Sequence, residues 1–192
     1  MTFAEIKEKL SNKTVGIAGC GGLGSNAAVA LARVGVGKLI VADFDVIIES
    51  NLNRQYFFFD QIGQKKCFAL KDNIFRINPS CSVVAHDNEL GSSCISTVFG
   101  KCDIVIEAFD RAEVKRMIVE TMLAELPNIP LIVGSGLAGW GKNNDLKTIK
   151  NGNLYICGDG FLEVSEQLPP LAPRVGIVAN MQANIALEIL LS

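Results

Sequence analysis

The segment Gly19-Cys20-Gly21-Gly22-Leu23-Gly24 has the spacing G-x-G-x-x-G, and its setting narrows what the chain can fold into. It follows the apolar run Thr14–Ala18, which reads as a buried strand, and opens a small-residue helical pattern over Gly22–Val34. A strand that turns into a helix this abruptly needs glycine for three reasons. Glycines tighten the turn, let backbone amides approach a phosphate, and allow the helix to pack closely on the strand. Asp43 ends the next β-branched run, Lys38–Ala42, and stands 19 residues beyond Gly24, where a carboxylate can hold ribose hydroxyls. Glycine turns serve many sheets; loop, setting and Asp43 together point to nucleotide binding. They do not say which nucleotide.

The remaining pattern alternates in the same way. A helix is expected over Gln64–Ile77, stopped by Asn78-Pro79, then a short strand at Ser82–Ala85. Asp103–Ile106 reads as a strand, Glu113–Leu126 as a helix, and Pro130–Val133 begins a further strand. Strands alternating with helices call for an α/β fold: a Rossmann-like, mostly parallel sheet with helices on both faces. Near the C-terminus, Asp145–Lys150 and Asn153–Cys157 flank Asn151-Gly152, a hairpin signal that extends the sheet by antiparallel strands. Leu168–Pro173 carries three of the six prolines and reads as an ordered loop or extended connector. Val175–Leu191 has a helical pattern in which Ile177, Met181, Ile185 and Ile189 are expected to pack inward. With no repeat, low-complexity tract or linker, residues 1–192 are expected to form one domain.

Composition excludes several function classes. Apolar residues make up 49% of the chain and charged residues 20%, enough for a substantial core. Lys plus Arg number 18 against 20 Asp plus Glu, so no basic footprint for nucleic acid or an acidic membrane surface is expected. A single histidine, His86, removes the material for His-rich metal sites and most His-based triads. The six cysteines form no Cys-x-x-Cys pair, so no zinc is expected and buried thiols are the plain reading. The segment MTFAEIKEKL is charged and amphipathic, not a signal core, and no stretch approaches ~20 uninterrupted apolar residues. These features suggest a reducing cytoplasm.

Further segments follow the loop: Asp43-Phe44-Asp45, Ser50-Asn51-Leu52-Asn53-Arg54-Gln55, Ile62-Gly63-Gln64-Lys65-Lys66 and Glu107-Ala108-Phe109-Asp110. Asp110 directly follows a strand, at the carboxyl end where open α/β sheets bind ligands. Read singly, Arg54 and Lys66 could be solvated charges, Asp110 a helix cap and Asn51 a turn residue. Asp45 and Gln55 could support the site or touch the ligand. In this order, with Ala172-Pro173-Arg174-Val175-Gly176 and Met181-Gln182-Ala183-Asn184 behind them, the chain resembles the ThiF–MoeB family of adenylating enzymes. The compact length and the run AFDRAEVK resemble the short second type of ThiF protein.

The resemblance implies ATP, Mg²⁺ and transfer of AMP to the C-terminal glycine of a ubiquitin-like sulfur carrier ending in Gly-Gly, of the ThiS kind used for thiamine thiazole. It also implies a homodimer. Gly19, Gly21, Gly22 and Gly24 would shape the phosphate loop and Asp43 would hold the ribose. Asn51, Arg54 and Lys66 match triphosphate-contacting positions, and Asp110 matches the magnesium-binding aspartate. Arg54, Lys66 and Asp110 would carry catalysis by positioning and charge, with little acid–base work. Gly134–Gly141 could line a groove for the carrier tail.

The chain departs from the family pattern at three places. It lacks paired Cys-x-x-Cys motifs, and Phe161–Leu171 has no cysteine where some relatives use one for sulfur transfer. The first 13 residues contain Lys7, Lys9 and Lys13 but no arginine, which makes Arg174 a candidate substitute for a phosphate-reaching arginine. Competing functions are adenylation for molybdopterin or tRNA modification, a nicotinamide-dependent oxidoreductase, and a nucleotide-binding module without catalysis.

Overall fold

Seven strands form one sheet in the order β3-β2-β1-β4-β5-β7-β6 in the computed structural model, which describes all 192 residues. They are Thr14–Ala18 (β1), Lys38–Ala42 (β2), Ser82–His86 (β3), Ile104–Glu107 (β4), Leu131–Gly134 (β5), Lys147–Asn151 (β6) and Leu154–Gly158 (β7). The inner strands are near-continuous apolar runs because both their faces are covered: β4 and β5 are buried at every residue. β7 joins β5 in parallel, so of the expected antiparallel pair only the edge strand β6 runs against the sheet. β6 is exposed along its whole length, with Lys147 and Lys150 on an edge that charge keeps from pairing further. Asn151 pairs with Leu154 across Gly152, whose φ of 58° suits the turn that the Asn-Gly pair signalled.

Helices Phe3–Leu10 (α1), Gly22–Val34 (α2), Lys66–Ile77 (α3) and Ala172–Leu191 (α6) contribute to the larger core, on one face of the sheet. Ser92–Phe99 (α4) and Ala112–Glu125 (α5) cover the other face. α4 is not signalled by the sequence, since SSCISTVF is poor in helix formers. It is helical because Ile95 and Phe99, four apart, are buried against the sheet. Gly16 makes room for it: a Cβ there would sit 2.6 Å from Phe99 Cδ1.

α6 begins three residues earlier than the pattern suggested, with Pro173 in its first turn, where a missing N–H costs nothing. Its inward face also differs from expectation. Val175, Val178, Ala179, Gln182, Ala183, Ala186 and Leu190 are buried, whereas Met181, Ile185 and Ile189 are half-buried and Ile177 is exposed. α6 packs against α2, and both helices contribute small residues to the shared core: Ala27, Ala28 and Ala32 from α2, and Ala179, Ala183 and Ala186 from α6. The isoleucine row is displaced to the flank. By length and composition α6 could cross a membrane, but its place against α2 and its buried Arg174 and Gln182 make it a core helix.

Candidate active site

The strand order reverses between β1 and β4, and the candidate residues gather at the carboxyl ends of the strands around that point. These ends are level. Gly19 N–H donates to Ala42 O at 2.9 Å and Ala108 N–H to Ala18 O at 2.8 Å. The glycine loop leaves no room for a side chain at two places. A Cβ on Gly24 would lie 1.9 Å from Gly19 O, and Gly19 has φ 98° with the Ala108 carbonyl 2.9 Å from where its Cβ would be. Gly21 caps α2 without a side chain, leaving the first amides of the helix free for an anion.

Asp43 closes this loop. Its Oδ2 accepts the Cys20 N–H at 2.6 Å and its Oδ1 the Asp45 N–H at 2.8 Å. Burial raises its carboxyl above the usual range, opposed by those two N–H groups and by Lys66. Asp45 has a defined role as well: Lys66 Nζ lies 2.7 Å from its Oδ2. Lys66 is 6% exposed at the first turn of α3, which rules out the reading of a solvated helix-start charge.

The segment between β2 and α3 is irregular, with short 3₁₀ turns at Glu49–Asn51 and Phe59–Gln61. It is pinned to α2 by side chains. Asn26 Nδ2 donates to both Gly22 O and Arg54 O, and Tyr56 N–H donates to Ser25 Oγ. The Arg54 stem passes over Gly22, with Cγ 3.4 Å from where a Cβ would stand, so Arg54 lies beside the glycine loop. Its guanidinium holds only local oxygens, Asn53 Oδ1 and Ser50 O. Asn51 is buried, and its Oδ1 accepts the Ile48 N–H, as its turn reading required. Gln55 is also buried, and its Oε1 has no partner.

Asp110 is exposed after β4 and makes no side-chain hydrogen bond; the cap of α5 is Arg111, so the cap reading of Asp110 does not hold. No three His, Cys, Asp or Glu side chains converge as a metal cluster. A single free carboxylate suits Mg²⁺, which takes one or two protein carboxylates and completes its shell with phosphate and water. Arg111, Glu89, Leu90 and Met117 line an open cleft of about 680 Å³ between α4 and α5, and Asp110 is not among its lining residues.

Two ion pairs built on buried carboxylates frame the site, and sequence reasoning assigned neither. Lys115 Nζ contacts both oxygens of the fully buried Glu107, at 2.9 and 2.8 Å, and Gly134 O at 3.0 Å. Burial raises the Glu107 carboxyl, while Lys115 and the Phe109 N–H oppose the shift. The available signal was a carboxylate ending an otherwise apolar parallel strand. In the second pair, Arg174 Nη2 meets Asp159 Oδ2 at 2.5 Å, with both residues buried. Arg174 Nη1 donates to Gly141 O. Arg174 is therefore spent inside the fold and does not substitute for a phosphate-reaching arginine. The pair ties the glycine-rich segment after β5 to the start of α6. That segment uses positive φ at Gly136, Gly139 and Gly141.

Cys157 is fully buried, its thiol pushed up by burial with Thr148 opposing, which fits an inert role. Cys20 and Cys67 are also buried near the site, and burial is the main cause of their raised thiols.

The architecture is a Rossmann-like α/β fold with its ligand-binding edge at the β1–β4 reversal. Comparison then places it: the chain matches the ThiF family over residues 2–192 and belongs to that family. The Caenorhabditis briggsae adenylyltransferase and sulfurtransferase MOCS3 is 38% identical over 190 residues, which are 95% of this chain and 47% of that protein. The molybdopterin-synthase adenylyltransferase of Escherichia coli K12 is 30% identical over 191 residues, 96% of this chain and 75% of that protein. The chain thus spans about half the length of the first relative and three-quarters of the second. Both relatives are adenylyltransferases by name, in agreement with the enzyme class expected from the sequence.

Among solved structures, the E. coli tRNA N6-threonylcarbamoyladenosine dehydratase TcdA in complex with AMP superposes with a TM-score of 0.87 at 20% identity. The match covers 97% of this chain and 89% of that one. E. coli MccB with ATP gives a TM-score of 0.75 at 24% identity, covering 97% and 58%. At these identities the likeness is one of fold.

Proposed function

We propose that the chain is an ATP-dependent adenylyltransferase acting on the C-terminal glycine of a ubiquitin-like sulfur carrier. The observation that carries this reading is the constellation at the strand ends: a glycine loop that admits no side chain at Gly19 or Gly24, Arg54 beside Gly22, the buried Lys66, and the unpaired Asp110. A nicotinamide-dependent oxidoreductase would need none of the last three as a group. The relatives' names support the same activity.

The chemistry follows from these groups. A carrier carboxylate oxygen bonds to the α-phosphorus of ATP while the bond to the bridging oxygen breaks, and pyrophosphate leaves with the electron pair. The glycine-loop amides and Asn51 would hold the phosphates. Arg54 offers a planar fork and Lys66 a compact charge to the departing pyrophosphate. Asp43 would take the ribose through the lone pairs left by its two backbone contacts. Asp110 would hold Mg²⁺, which when bound neutralises phosphate charge. No proton need leave the attacking carboxylate, so catalysis is positioning and electrostatics.

A thiamine-type carrier is the finer reading, resting on the run from Ala108 to Lys115. A molybdopterin-type carrier is favoured instead by the name of the relative at 30% identity. The proposal includes a homodimer. The test is ATP–pyrophosphate exchange with Mg²⁺ and a purified carrier ending in Gly-Gly, with a tail-shortened carrier and Asp110→Ala as controls. Exchange that needs the intact tail and Asp110 supports the reading. ATP binding without exchange for either carrier type would leave a non-catalytic module.

A further inference from the structure

We propose that Lys115 and Glu107 are positioning residues that hold the Asp110 turn in place for the magnesium ion of the bound nucleotide. The inference rests on the functional reading above and deepens it.

Asp110 lies in the loop between β4 and α5 and has no contact of its own to orient it. The loop is closed from both sides on one carboxylate. Glu107 Oε1 accepts the Phe109 N–H at 2.7 Å, and the same carboxylate receives Lys115 from the first turns of α5. The residues before and after Asp110 are thereby fastened to a single fully buried group. Lys115 also reaches Gly134 O, and Gln182 Nε2 donates to Glu107 O at 3.0 Å and Ile132 O at 3.3 Å. The clamp therefore joins the ends of β4 and β5 to α5 and α6.

An ion pair on a fully buried carboxylate is a poor source of stability, since desolvation offsets most of its attraction. What it supplies is one geometry: a carboxylate with both oxygens engaged cannot rotate, so the Phe109 amide and the adjoining Asp110 cannot drift. A carboxylate left free to move on an exposed turn would capture the cation less well.

The test is the ATP dissociation constant measured by calorimetry in Mg²⁺ and again in EDTA. The ratio reports how far the cation tightens binding. Glu107→Gln/Lys115→Met keeps side-chain volume, leaves no unpaired buried charge and still offers an acceptor to Phe109. Lys115→Met alone is the second variant, and Asp110→Ala marks the full effect. Both clamp variants are expected to lose on the order of fivefold in the ratio, within the usual range of site–site coupling, while EDTA affinity changes less than about twofold. Lys115→Arg, which keeps the charge, is expected to retain most of the ratio.

A folded clamp variant with the parental ratio overturns the proposal. So does an equal loss in EDTA, which would mark general damage to the nucleotide site. An Asp110→Ala protein that keeps the ratio removes Asp110 as the metal residue and overturns it too. Failure of the parental chain to bind ATP at all would instead defeat the functional reading.

Discussion

Asp43 accepts the backbone N–H of Cys20 at 2.6 Å, so the carboxylate expected to hold a ribose also fastens the phosphate loop. Loop and ribose site are thus one mechanical unit, closed further by Gly24 lying against Gly19 O. Gly24→Ala forces its new methyl group into that carbonyl. We expect a stability loss of about 1–3 kcal/mol, typical of overpacking, and at least about tenfold weaker ATP binding. Urea unfolding and calorimetry read the two effects. Unchanged ATP affinity would separate the loop from the nucleotide site.

Lys66 is held by Asp45 before any nucleotide arrives, so its position is set in advance. If Lys66 meets the departing pyrophosphate as proposed, Lys66→Ala is expected to lower the exchange rate about 10²–10³-fold, the usual effect of losing one preorganised group at such a site. Asp45→Asn keeps a hydrogen-bond acceptor and is expected to cost less. Equal losses in the two variants would show that the pair, and not the lysine alone, acts on phosphate.

The Asp159–Arg174 pair predicts an acid limb in the stability curve. Burial would raise the Asp159 carboxyl, but the N–H groups of Leu162 and Phe161, with Arg174, hold it below the ordinary range. Such a group stabilises the fold above the ordinary carboxylate range, and that stability is lost as pH falls through its lowered value. Asp159→Asn is expected to cost about 3–5 kcal/mol near neutrality, as for a broken buried pair, and to flatten the acid limb. Urea midpoints taken from pH 7 downward test this; parallel curves for both proteins would assign the limb elsewhere.

Thiol labelling offers a check on the cores of both faces. Burial pushes the Cys81 thiol to about 11 and, with Asp103, the Cys102 thiol to about 12. Cys20, Cys67 and Cys157 are raised as well, chiefly by burial, and all five are buried, whereas Cys94 is half-exposed. At pH 8 one thiol per chain, Cys94, is expected to react with a maleimide before unfolding. Fast labelling of Cys20 would show that the glycine loop opens, and of Cys67 that the start of α3 does.

The elements that periodicity and glycine chemistry control were legible along the chain. β1, β2 and α2 lie where the apolar runs and the glycine loop place them, and β7 and β6 meet across Gly152. Local signals failed where burial overrode propensity. α4 is helical for the sake of Ile95 and Phe99, and α6 turns its alanines inward because α2 presents alanines to it.

The candidate site divides along the same line. Gly19 to Gly24, Asp43, Asn51, Arg54, Lys66 and Asp110 could be named from motif order, since each stands at a fixed offset from a strand or helix end. Asp45 was among the candidates, but the pairings that hold the site were not legible. Asp45 under Lys66, Glu107 with Lys115, and Asp159 with Arg174 are pairs separated by 21, 8 and 15 residues, with no pattern linking the partners. The alternation of strand and helix, the glycine loop and the order of the charged groups could be read along the chain, because they depend on neighbours a few residues apart. Which charges find each other at the site and where Arg174 points emerge only on folding, because a charge leaves water only where the folded chain brings its partner within hydrogen-bond reach.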